Sequence, residues 1–164
     1  MRYKIVPEPR DLDELRAIKD AVPLVPGTAE DCCSRIVTRA PVAGRDAARE
    51  WLTFLQALGL VADSDRGFHR TRDGPDRAAL RERFLDGVFG AREVRHVLAE
   101  ESPAAPDAVF ASLREAIPGW ERHRRADWEA EWRERTARLL DWGVVLGAFE
   151  ETDDSKYRIA TGGS

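Results

Sequence analysis

Residues Arg45 to Arg72, RDAAREWLTFLQALGLVADSDRGFHRTR, place the tightest constraint on the fold. Ala48, Trp51, Leu52, Leu55 and Leu58 recur at steps of three and four residues, so they share one face of a helix. Gly59 follows directly, at the point where a helix end favours a residue at ease in the left-handed region. Leu60-Val61-Ala62 and Phe68-His69-Arg70-Thr71 are then short strand candidates. The polar run between them, Asp63-Ser64-Asp65-Arg66-Gly67, has the composition of a turn. The pattern predicts a helix, an abrupt stop and one small hairpin.

The chain ahead of that stretch supplies two more helices. Tyr3 to Val6 is a strand candidate closed by Pro7 and Pro9, which cannot extend a central ladder. Asp11 reads as an N-cap, with Glu14 at capping-box spacing, and Leu12, Leu15, Ile18 and Val22 form a helical stripe ending at Pro23. Leu24 to Gly27 is a turn. Thr28 caps the next helix, in which Ala29, Cys32, Ile36 and Val37 face inward, and Pro41 and Gly44 punctuate the chain before the stretch described above.

The amphipathic helix ending in "LGLV", the turn and "GFHRT" resemble the last helix and wing of a winged helix-turn-helix domain. The order helix, break, helix, hairpin agrees with that resemblance: the helix over Thr28–Arg39 is the supporting helix and Gly44–Leu58 the recognition helix. What the resemblance implies is binding of duplex DNA through the last helix and wing, often as a dimer and often in the regulation of transcription. Arg45 and Arg49 lie one turn apart, opposite Trp51 and Leu55, at the end of the recognition helix that usually enters the major groove. Arginine there can donate a pair of hydrogen bonds to guanine O6 and N7. Thr53 and Gln56 lie further along the polar surface. Arg66 falls at the wing tip, with Arg70 and Arg72 on or just past the returning strand, where arginine suits phosphate. Asp46, Glu50, Asp63 and Asp65 dilute the patch to five arginines against four acids.

A second half is expected after Gly74-Pro75, giving domains over 1–74 and 75–164. Asp76 caps a helix with Leu80, Phe84 and Val88 on one face, stopped by Gly90. Ala91 to Glu100 is a short helix with Val94, Val97 and Leu98 inward. Asp107 to Ala116 is another, stopped by Pro118-Gly119. This three-helix series again resembles a helix-turn-helix. A long helix from Arg125 to Val145 follows, carrying Trp128, Trp132, Leu139, Trp142 and Leu146 in one stripe. Leu146-Gly147 and then Tyr157-Arg158 echo Leu58-Gly59 and Phe68-His69-Arg70. An internal repeat and a chance likeness between two amphipathic helices both account for the echo. The fold class expected is mostly α with small β-hairpins, arranged as tandem winged helix-turn-helix-like halves. Glu150, Glu151, Asp153 and Asp154 crowd the second hairpin, so this wing would repel phosphate and suits protein contact. Trp120, Trp128, Trp132 and Trp142 are expected to fill the core. The alternative is that they form a dimer interface.

Other classes have little support. Cys32 and Cys33 are adjacent, poorly placed to pair with each other, and read as small, partly buried helix residues, consistent with a reducing compartment. His69, His96 and His123 are far apart, and no nucleophile motif or phosphate-cradling loop is present, so no enzyme, metal site or cofactor is expected. No apolar run approaches the roughly 20 residues of a membrane span, and MRYKIVPEPRD lacks the apolar core of a signal peptide, so a cytoplasmic location is expected. The net charge of −4 weakens a non-specific grip on DNA. With 23 arginines, 3 lysines and plentiful acids, the composition also fits a GC-rich genome and a salt-adapted organism, where acidic surfaces are general. The function expected is a DNA-binding transcriptional regulator acting on duplex DNA. The alternative is a tandem winged-helix adaptor inside a larger complex, meeting a protein partner or a second copy through the Trp-rich half.

Overall fold

Helix caps legible in the sequence set the first elements in place. The computed structural model describes residue 3 and residues 6–40, 42–116, 119 and 127–161. Asp11 accepts the Glu14 backbone N–H at 2.8 Å and opens α1 (Leu12–Ala21). Thr28 Oγ1 accepts the Asp31 N–H at 3.0 Å and opens α2 (Ala29–Arg39). Each cap satisfies a donor that would otherwise lack a partner in the first turn. Then come α3 (Arg45–Ala57), a hairpin of β1 (Val61–Ser64) and β2 (Gly67–Arg70), and α4 (Arg77–Gly87). The chain continues as α5 (Ala91–Glu100), α6 (Pro106–Leu113), a 3₁₀ turn over Arg114–Ala116, α7 (Trp128–Val145), β3 (Phe149–Glu151) and β4 (Tyr157–Ile159). Tyr3 makes a single bridge to Val88; of the strand expected over Tyr3 to Val6, 4–5 lie outside the described residues and Val6 is in no strand.

The chain divides into two compact units between Phe89 and Gly90, not at Gly74-Pro75. The reason is α4. Arg83 donates to the Leu58 carbonyl at 3.3 Å and pairs with Asp73 at 2.7 Å. Gly87 lies so close to the Ala57 carbonyl that any side chain there would collide with it. Tyr3 and Phe89 add backbone bonds, Tyr3 N–H to Gly87 O and Phe89 N–H to Tyr3 O, both 2.8 Å. So α4 belongs to the first unit, and α5, α6 and α7 to the second. Gly90, expected to stop α4, instead begins α5 from the left-handed region, at φ +96°.

In the first unit α1 buries Leu15 and Ile18, α2 buries Cys32, Cys33 and Ile36, and α3 buries Ala48, Trp51, Leu52, Phe54 and Leu55. The Trp51 and Phe54 rings meet edge-on, 6.0 Å between centroids. Past α3 the chain turns at Gly59 (φ +71°), and Leu60 N–H returns to Leu55 O at 2.9 Å, which aims the backbone into β1. The hairpin pairs Val61 with Arg70 and Ser64 with Gly67. The turn is therefore only Asp65-Arg66, and Asp63 and Ser64 lie in the strand. Gly27, just before α2, exchanges both backbone bonds with Phe68, at 2.9 and 2.7 Å, adding a third, one-residue strand.

The second unit repeats this plan. Ala104, just before α6, exchanges both backbone bonds with Tyr157, at 2.9 and 2.8 Å. Leu146 is followed by Gly147 at φ +84°, and Ala148 N–H returns to Gly143 O at 2.7 Å. The hairpin pairs Phe149 with Ile159 and Glu151 with Tyr157. The echo in the sequence is thus a repeat of topology, with the helix stop and the bridge to the returning strand bonded alike and the hairpins of different length. Trp132 and Trp142 are buried in this unit's own core, as expected of core residues, and Trp128 is half-buried. Trp120 and His123 lie outside the described residues.

Candidate nucleic-acid interface

The two faces of α3 differ in kind. One carries the apolar stripe into the core, and the other leaves Arg45, Asp46 and Arg49 exposed at the N-terminal end, with Thr53 and Gln56 half-buried further along. Gly44 opens the helix and has no side chain to accept from its first backbone N–H groups. Arg45 pairs with Glu30, in the first turn of α2, at 2.9 Å. Beneath them, burial raises the pKa of the Cys33 thiol, and the Arg49 and Arg45 guanidiniums partly counter that rise. Both arginines therefore lie over the α2–α3 junction, where the two helices of a helix-turn-helix meet. Thr53 Oγ1 bonds back to the Arg49 carbonyl at 3.2 Å.

The wing arginines separate by role. Arg66 is exposed at the tip, its N–H bonded to Ser64 Oγ at 3.3 Å, and Arg72 is exposed just past β2. Arg70 turns inward instead. Its guanidinium donates to the Asp20 carbonyl at 3.2 Å and to the Asp20 carboxylate at 3.0 Å, tying the base of the wing to α1. Of the expected set, then, Arg45 and Arg49 come together on α3, and Arg66 and Arg72 mark the two ends of the hairpin.

In the second unit several cations of the described residues on α7 and the wing are ion-paired. On α7, Arg133 pairs with Asp107 at 2.8 Å, Arg135 with Glu131 at 2.9 Å and Arg138 with Glu134 at 2.9 Å. On the wing Arg158 pairs with Glu150 at 3.0 Å, and Lys156 lies 3.7 Å from Asp154. The charge count follows the same division. Residues 1–89 hold fifteen basic and fifteen acidic side chains, and residues 90–164 hold eleven and fifteen, so the whole net charge of −4 resides in the second unit.

A two-fold series of helix, bridging residue, helix, helix and hairpin is a double winged helix. The model of the halobacterial double winged helix domain matches residues 1–162. The chain belongs to that family. No curated protein and no solved structure matches it. Among the described residues no helix is long and apolar enough to cross a membrane, and no group of three or more His, Cys, Asp or Glu is placed to hold a metal ion.

Glu30 was not legible as part of this corner. Its partner Arg45 is fifteen positions away, and periodicity assigns a residue to a face without naming what it meets. The available signal was its place: the first turn of the supporting helix, close to the start of the recognition helix in any helix-turn-helix.

Proposed function

We propose that the protein is a transcriptional regulator that binds duplex DNA through α3 and the first wing. The observation that carries this reading is the exposure of Arg45 and Arg49 at the N-terminal end of a helix whose opposite face is fully used in the core. Arg45 and Arg49 meet base edges in the major groove, Thr53 and Gln56 meet backbone or base, and Arg66 and Arg72 meet phosphate. Arg70 supports the wing from its base. The second unit, with the net negative charge and an acidic wing, stays off the duplex and meets protein.

Salt-dependent binding to mixed-sequence duplex tests this. The wild type binds with an affinity that falls steeply with salt. Replacing Arg66 and Arg72 together by alanine reduces the salt slope by up to about 2, roughly one for each phosphate-neutralising cation removed, whereas replacing Arg45 and Arg49 lowers the affinity and relaxes the base preference. A wild type with no retention on DNA at low salt overturns the reading.

An adaptor within a larger complex is the second reading, favoured by the acidic wing. It is opposed by the scarcity of open apolar surface, since among the described residues Leu24 and Val25, at 43% and 75% exposure, are the exposed large apolar side chains.

A further inference from the structure

The Arg45–Glu30 pair has a counterpart. Gly27 and Ala104 occupy the same place against their wings, so Glu30, three residues after Gly27, corresponds to Asp107, three after Ala104. Leu58-Gly59 and Leu146-Gly147 end the recognition helices, and counting back places Arg45 opposite Arg133. Both arginines bind their acid through Nη1, at 2.9 and 2.8 Å. The same clasp between the first turn of the supporting helix and the recognition helix is built twice.

The two clasps differ in what lies beneath. In the second unit Phe110 supports the arginine, with the Arg133 guanidinium 4.7 Å from the ring centroid, a cation–π contact that holds the side chain in place. In the first unit the corresponding residue is Cys33, which offers no ring. Arg45 is correspondingly looser, 69% exposed against 50% for Arg133. An exposed ion pair without further support is worth on the order of 1 kcal/mol or less and is readily exchanged.

We infer that Glu30 is a specificity-determining residue that withholds Arg45 from phosphate until a matching base step is met. This rests on the DNA-binding reading above. A phosphate competing for Arg45 must break the clasp and then face the Glu30 carboxylate, so indiscriminate backbone binding is penalised. A G·C step offers an arrangement that keeps both partners satisfied: Arg45 donates to guanine, and Glu30 accepts from cytosine N4–H. The acid thus lowers affinity for random duplex and leaves the matched step favoured.

The test compares wild type, E30Q and D107N on mixed-sequence duplex across a salt series, and on a selected set of duplexes differing at single base pairs. Both variants add the same charge and open equivalent clasps, and thermal melts confirm that both are folded. E30Q is expected to bind mixed duplex about three- to fivefold more tightly, to steepen the salt slope by about 0.9 as Arg45 takes a phosphate, and to narrow the spread between the best and worst duplex. D107N is expected to match the wild type in all three readouts. A wild type that binds DNA while E30Q leaves slope and spread unchanged, or while D107N changes them equally, overturns the role of Glu30 alone. Absence of wild-type binding overturns the DNA reading on which it rests.

Discussion

Tyr157 shows how one polar atom can link a wing to its helix. Its hydroxyl donates to Asp141 on α7 at 2.5 Å, and burial, followed by that bond and the Asp141 charge, raises its pKa well above the ordinary tyrosine range. The folded state therefore holds the phenolic proton at pH values where the unfolded chain, near its ordinary pKa of about 10, releases it. The stability contribution is complete below that pH and declines as pH rises above it. Denaturant unfolding of Tyr157→Phe should show about 1 kcal/mol lost at neutral pH and a flatter decline above pH ~10 than in the wild type. Gly143 makes a second residue-scale case. An ordinary helical position, it has no need of glycine's backbone freedom, yet a Cβ there would strike the Phe149 ring. Gly143→Ala should cost about 1–2 kcal/mol by urea unfolding, the collision outweighing alanine's better helix propensity. Adding Phe149→Leu should recover most of it. At the corresponding place in the first unit stand Leu55 and Val61, a large residue on the helix and a smaller one on the strand. The two halves fill the equivalent space by exchanging volume, which hides their shared topology from a residue-by-residue comparison.

Elements whose logic is local were legible. The caps at Asp11, Thr28 and Asp76 and the stripe of α3 followed from short-range chemistry, and all three capping side chains accept the backbone bond expected of them. The glycine stops after Leu58 and Leu146 followed likewise. Elements decided by distant partners were not legible. Nothing near Pro75 announces that α4 will dock on α3 through Arg83 and Gly87, and a single paired residue such as Gly27 or Ala104 has no strand pattern to find. Arg70 resembled a phosphate contact because strand alternation gives a side and not a partner; Asp20 lies fifty positions away. The repeat also yields a prediction. Thr28 caps α2, but Ala105, in the same extended conformation ahead of α6, offers no side-chain acceptor. Ala105→Ser should stabilise the chain by about 0.5–1 kcal/mol, read as a raised urea midpoint with unchanged slope.

At the scale of the molecule, one fold is used twice with different net charge. The first unit is neutral and presents Arg45 and Arg49 at the start of its recognition helix, while the second carries the net negative charge and pairs Arg133, Arg135 and Arg138 of α7 with acids. Such a division suits a protein that holds nucleic acid with one half and leaves the other for a different partner. It also suits work at high salt, where phosphate contacts weaken and base contacts decide binding. The most direct measurement is amide chemical-shift mapping while the full chain is titrated with a G·C-containing duplex. Shifts concentrated at residues 45–56 and 65–72, with β3, β4 and the start of α7 unmoved, are the predicted result. Shifts confined to 128–159, with Arg45 and Arg49 silent, would contradict it.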